Sequence, residues 1–227
     1  MSLEARDWIE YHAKSTPDKT AMIDLMSKRN FSYKETHERV ARVSGFLKSK
    51  GIKPGDRVAF LCLNTTDVME LIFGCWRIGA VCLALNFRLT PNELAYILND
   101  SEASLVLVDK PFENVGKETK LLTNVPHWID TDGLGGDSSY EREVSSAKPI
   151  YEFTKQSYED QCLLMYSSGT TGMPKGVIIT HGMLEFTISS TARLPDTGPH
   201  QVSLNNMPLF HIGGLNVTAL PSIAVGG

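Results

Sequence analysis

The chain has 227 residues, 42% of them hydrophobic and 21% charged, with a formal net charge of −4. That length allows one large domain or two small ones, and the composition is ordinary for a soluble globular protein. The negative balance argues against a general nucleic-acid binder or a binder of acidic membranes. Residues 1–12 hold no apolar stretch of signal-peptide length. Residues 71–85 are apolar but carry Arg77 and are too short to span a bilayer, and residues 210–227 are broken by His211, Asn216, Pro221 and four glycines. No transmembrane segment is therefore expected. Cys62, Cys75, Cys82 and Cys162 show no metal-ligand spacing and sit in apolar runs, so they read as reduced core thiols of a cytoplasmic protein.

In chain order, residues 4–15 read as a helix and residues 20–31 as a short hairpin around Ser27-Lys28-Arg29. Ser32 with Glu35 forms a capping box for a helix whose stripe is Val40, Val43, Phe46 and Leu47, stopped at Gly51. A βα alternation follows: strand 58–63, helix 66–79, strand 81–85, a helix opened by Thr90-Pro91-Asn92-Glu93, strand 105–108, helix 115–122 and strand 127–129. Residues 130–148 are polar and Gly/Ser-rich and read as a surface loop. Two strands then flank a glycine-rich segment. After them come a helix near 182–192, with His181 as the turn residue before it, a short strand at 202–205 and a helix over 211–225. The alternation predicts an α/β fold with a mainly parallel sheet flanked by helices.

The glycine-rich segment, YSSGTTGMPKGV at 166–177, is the most informative. Between Ser167 and Gly176 it holds two Ser, two Thr, three Gly and one Lys. Small hydroxyl residues and glycines between strands let a backbone approach a polyanion, and Lys175 adds full charge. It is neither G-x-x-x-x-G-K-[ST], because Pro174 and Gly176 break that spacing, nor G-x-G-x-x-G.

This string resembles the phosphate-binding loop of the adenylate-forming superfamily, which comprises acyl- and aryl-CoA synthetases, firefly-type luciferases and nonribosomal adenylation domains. Residues 86–103, NFRLTPNELAYILNDSEA, and residues 207–215, MPLFHIGGL, resemble two further segments of acyl-CoA synthetases. The resemblance runs from about Trp8 to the end and is strongest to long- or medium-chain fatty acid–CoA ligases. It implies ATP, Mg²⁺ and CoA as co-substrates and cofactor, a small-molecule carboxylic acid as substrate, and no nucleic-acid partner; a homodimer stays open. It implies that Ser167, Ser168, Gly169, Thr170, Thr171, Gly172 and Lys175 hold the phosphates, that Thr170 or Thr171 contributes to the Mg²⁺ site, and that His211 lies beside the acyl pocket and α-phosphate as the catalytic residue. Amino-acid-activating relatives typically carry Asp where this chain has His211, so the acid is expected to lack an α-amino group. Gly213 and Gly214 are expected to leave room beside the pocket, and Arg88 stays an open case between a capping and a CoA-contacting arginine.

The adenine- and ribose-binding segments of the family, and its small domain with a late lysine, are absent from the sequence. The expectation is an amino-terminal fragment of the large domain, incomplete at the carboxy terminus and with little ligase activity by itself. Residues 53–200 would form a first sheet-and-helix subdomain, with 18–50 and 201–227 contributing to a second. Alternatives are an aryl acid ligase, a non-catalytic nucleotide-binding protein, and a half-enzyme completed by a partner. The fragment and half-enzyme readings both predict exposed apolar surface.

Overall fold

The computed structural model describes residues 3–167, 173–191 and 198–227. Helix α1 (Trp8–Ser15) begins later than expected because the Asp7 carboxylate accepts the Glu10 N–H at 3.0 Å, while Glu4 forms an antiparallel bridge with Ser157. Strands β1 (Thr20–Ile23) and β2 (Asn30–Ser32) form the expected hairpin. Ser32 and Glu35 close their capping box on α2 (Tyr33–Ser49), and Gly51 takes positive φ just after it.

The main sheet has six strands in the order β6-β5-β3-β4-β7-β8. They are β3 (Arg57–Leu61), β4 (Val81–Ala84), β5 (Ala103–Asp109), β6 (His127–Thr131), β7 (Gln161–Ser167) and β8 (Lys175–Thr180). The first five in this series run parallel, and β8 runs antiparallel to β7. The exception follows from chain length: a short loop can join neighbouring strands only when they are antiparallel. Side chains alternate between two cores. Val58, Phe60, Leu105 and Leu107 face one, and Ala59, Leu61, Val106 and Val108 face the other. From β3 the chain steps to β4 on one side, then returns to β5 on the other. Right-handed crossovers thus put α3 (Thr66–Arg77) and α4 (Pro91–Asp100) on opposite faces. Helix α5 (Glu113–Lys120) packs beside α4, and α6 (Ser139–Ser146) beside α2.

Three expectations need correction. The stretch 130–148 is not simply loop: β6 runs on to Thr131, and α6 forms because Ser138 caps it and Tyr140 and Val144, one turn apart, are fully buried. Residues 202–205 form no strand. Val202 and Leu204 alternate with polar residues, but both are exposed and have no strand to pair with among the described residues. The expected 211–225 helix splits into a π-helical segment, Gly213–Ala219, and α8 (Leu220–Ala224). Thr218 Oγ1 donates to Gly214 O at 2.6 Å, and the Leu220 N–H reaches Leu215 O, five residues back.

All four cysteines are free and buried, as expected, and no helix among the described residues is long and apolar enough to cross a membrane. Exposed apolar side chains do occur, on the edge strand β8 (Val177, Ile178) and on α7 (His181–Thr191), where Met183 and Phe186 face outward.

Helix α3 is buried along its whole length, including three charged residues. Arg77 is met by Asp7 at 2.7 Å, Asp67 by Arg29 at 2.8 Å, and Glu70 by Arg39 through two bonds of 3.0 and 2.8 Å. Breaking such a pair from one side leaves a charge buried without a partner. Arg77→Met is therefore expected to destabilise the protein by about 3–5 kcal/mol, read as a lower denaturant midpoint. His181, the first residue of α7, is buried against Trp76 and bonds Gln156 Oε1 at 3.0 Å. Burial pushes its imidazole down to about 4. The unfolded chain takes up that proton near pH 6.5 (about the ordinary histidine value), so the stability gained from a neutral His181 is complete above that pH. It is lost as the pH falls toward about 4, by up to about 3 kcal/mol. Denaturation at a series of pH values should show the advantage of wild type over His181→Gln shrinking across this window.

Candidate active site

Strand β7 carries the buried run Cys162–Met165 up to the carboxyl edge of the sheet, and β8 brings the chain back beside it. Their register pairs Tyr166 with Gly176 and Ser167 with Lys175. The glycine-rich segment is thus the tip of a hairpin whose last rung is Ser167–Lys175. Ser168, Gly169, Thr170, Thr171 and Gly172 lie outside the described residues, so the expected phosphate cradle and the two threonines of the expected metal site are not described. Ser167, exposed, and Lys175, also exposed, mark the two sides of its base.

The rung stands at the carboxyl ends of parallel strands, where crossovers diverging to opposite faces leave a crevice. Two other segments meet it there. Residues 86–89 leave β4, and Thr90 with Glu93 then closes a capping box at the start of α4. Those hydrogen bonds from Thr90 hold the Glu93 carboxyl below the usual range. The segment 207–212 arrives from far along the chain and is held by Asn64, just past β3. The Asn64 amide donates to Met207 O at 2.8 Å, and its Oδ1 accepts the Leu209 N–H at 2.9 Å. Phe210 then packs edge-on to Phe87 at 4.8 Å, and Phe87 stacks on Phe112 at 5.0 Å. Arg88 lies over the rings of Phe87 and Phe210, at 5.7 and 5.8 Å from their centroids.

These segments line one cleft of about 810 Å³. Its walls include Asn86, Asn92, Glu93 and Tyr96 on one side, Tyr166, Ser167, Met173 and Pro174 on another, and Phe210, His211 and Ile212 on the third. Ser167 and His211 are therefore brought to a common cavity, with Lys175 paired to Ser167 at its margin. His211 Nδ1 accepts the Gly213 N–H at 3.1 Å. A backbone N–H can only donate, so Nδ1 is the acceptor here and Nε2 is the ring nitrogen that carries a proton. The exposed imidazole thus offers a donor. A donor that shares a cleft with the Ser167 hydroxyl suits anionic oxygens.

Gly213 and Gly214 do not act as open space. A Cβ on Gly214 would sit 2.3 Å from Pro208 O and 2.7 Å from Met207 O, so backbone packs directly on it. A Cβ on Gly213 would meet the flexible end of Met207 at 2.7 Å. Sequence reasoning missed Asn64 and Phe87. The only local signal for Asn64 is a polar residue just beyond a buried strand.

A family model described as "AMP-binding enzyme" matches residues 9–227. The chain is 34% identical over 224 residues to a feruloyl-CoA synthase of an Amycolatopsis species, covering 97% of this chain and 42% of that protein. It is 32% identical to the long-chain-fatty-acid–CoA ligase FadD13 of Mycobacterium tuberculosis, covering 91% of this chain and 41% of that one. Among solved structures it is similar to the inhibitor-bound N-terminal domain of FACL13 from M. tuberculosis, with a TM-score of 0.88 and 27% identity over 99% of this chain and 56% of that one. The chain thus spans about two fifths of the length of the curated relatives it matches.

The contrast between the two glycines gives a direct test. Gly214→Ala must displace backbone and is expected to lower stability by about 2 kcal/mol or more. Gly213→Ala, which has to move the Met207 tip and crowds the His211 ring at 3.3 Å but no backbone, is expected to change it by less than about 1 kcal/mol. Thermal denaturation of both variants reads the difference.

Proposed function

Because the chain belongs to the AMP-binding enzyme family, we propose that it carries the phosphate-binding side of an ATP-dependent acid–thiol ligase. The single observation that supports this best is the convergence of Ser167, whose rung partner is Lys175, and His211 on one cleft at the carboxyl ends of the strands. In the proposed reaction a carboxylate oxygen attacks the α-phosphorus of ATP. The bond from that phosphorus to the bridging oxygen breaks, and pyrophosphate leaves. The sulfur of CoA then attacks the acyl carbon, its proton is lost, and AMP departs with the electron pair of the broken C–O bond.

The chain's own residues act mainly by positioning and by charge. Ser167, Ser168, Gly169, Thr170, Thr171 and Gly172 hold the β- and γ-phosphates through hydroxyls and N–H groups. Lys175 neutralises them as a point charge. The hydroxyl oxygens of Thr170 and Thr171 suit a hard cation, and Mg²⁺ bound there with the phosphates would spread their negative charge. His211, with Nδ1 engaged by the Gly213 N–H and Nε2–H available, orients an anionic oxygen of the acid or the α-phosphate. Because this position carries no carboxylate to pair with an ammonium group, the acid lacks an α-amino group.

We read the acid as a fatty or related organic acid. An aryl acid is the second reading, supported by the similarity to a feruloyl-CoA synthase and by the aromatic side chains Tyr96, Tyr166 and Phe210 at the cleft. The buried free thiols support a cytoplasmic setting. The main sheet, confined to residues 57–180, supports grouping 53–200 as one subdomain. The hydrogen bond from Tyr33 to Gly227 O at 3.0 Å supports grouping 18–50 with 201–227. The 227-residue chain assayed alone is expected to ligate little, because its segments reach phosphate and acid but offer no recognised adenine- or ribose-binding motif.

The test is acid-dependent pyrophosphate release by the natural full-length protein over a panel of fatty and aryl acids. Lys175→Ala is expected to lower kcat/KM for ATP by on the order of 10²-fold, with little change in melting temperature. Unchanged pyrophosphate release in that variant would sink the phosphate role.

A further inference from the structure

We infer that the hydrogen bond from Tyr166 to Asp100 is a latch that positions the phosphate-binding loop, an inference that rests on the ligase reading above. Tyr166 Oη donates to Asp100 Oδ2 at 2.5 Å. The two residues stand on different elements, β7 and the last position of α4. Tyr166 shares its rung with Gly176, one step below the Ser167–Lys175 rung that closes the loop.

Gly176 is shaped to this ring. A Cβ there would lie 3.3 Å from Tyr166 Cζ, 3.4 Å from its hydroxyl and 3.2 Å from Leu164 Cδ1. The phenol is thus packed against the returning strand, and its hydroxyl reaches Asp100 at the end of α4. Partial burial, and then the bond to Asp100, raise the phenol above the ordinary tyrosine range and keep it a donor.

Asp100 stands where helix electrostatics argue against it. A carboxylate at the carboxyl end of a helix opposes the helix dipole, and no basic residue occupies the last turn of α4. It does not serve the helix it terminates. Its partner lies on the hairpin stem, and an O–H donating to a carboxylate at this distance is among the stronger hydrogen bonds. Helix α4 and the stem are also two walls of the same cleft. The latch therefore fixes the spacing of those walls, and with it the placement of Ser167 and Lys175. Tyr166 and Asp100 act as positioning residues through the loop.

The experiment is steady-state kinetics on the natural full-length protein, with ATP and an accepted acid varied in turn. Tyr166→Phe and Asp100→Ala are each expected to raise KM for ATP about five- to tenfold, the worth of one hydrogen bond. KM for the acid and the melting temperature should stay close to wild type. The double variant is expected to be no worse than Tyr166→Phe, because both changes remove one bond. An ATP KM within about twofold of wild type in Asp100→Ala, with Lys175→Ala still raising it, overturns the latch and leaves the ligase reading in place. No effect of Lys175→Ala on ATP overturns both. A fall in melting temperature together with equal losses toward acid and ATP makes the bond a fold contact only and also overturns the latch. Should Tyr166→Phe fail to fold, Asp100→Ala, which leaves no acceptor at this exposed position, decides the question alone.

Discussion

Burying charge on helix α3 is the constraint that organises one whole face of this protein. No residue of the helix reaches solvent, yet Asp67, Glu70 and Arg77 are among them. Each unpaired charge in such a place would cost several kcal/mol, so the surrounding elements must bring partners. Asp7 comes from the turn before α1, Arg29 from the β1–β2 hairpin, and Arg39 from α2. Thr131, at the end of β6, donates to Asp67 Oδ2 at 2.5 Å. Glu141 of α6 joins Arg39 at 2.7 Å. The peripheral elements are thus held in place by the charges of one central helix as well as by apolar contact.

The cleft depends on this arrangement through Asn64. That residue leads from β3 into α3, so its position is set by the packed helix behind it. It then fixes the 207–212 segment by two hydrogen bonds to backbone. His211 inherits its place from there, and its tautomer from Gly213. A donor at the cleft is therefore traced through three steps to a buried core, with each step a named bond. The hairpin stem reaches the cleft by a separate route, through strand pairing with β4.

Much of this was legible in the chain because the signals were local. The capping boxes at Ser32 and Thr90 needed four residues each, and the buried strands announced themselves as short apolar runs. Residues 166–177 were read because a dense cluster of small and hydroxyl residues has few other uses. What was not legible depended on partners remote in sequence. Asn64 acts on atoms 143 and 145 residues away, and Tyr166 on a carboxylate 66 residues away. Helix α6 was hidden because only Tyr140 and Val144 of its eight residues face the core, within a stretch that otherwise looks like loop. The reverse error, a strand at 202–205, arose because no strand among the described residues pairs with it. The two glycines after His211 were read as space because sequence shows the missing side chain and not what fills its place, backbone at Gly214 and side chains at Gly213.

The separation of the two sheet faces has a consequence for how such a protein can change over generations. The α3 face is a closed set of interlocked charges, where altering one member demands altering another at the same time. The α4 face meets the cleft through residues such as Asn92 and Tyr96 that carry none of that network. Substitutions there can accumulate singly, without threatening the fold. A lineage built this way can drift from one kind of ligand to another on a frame that hardly moves.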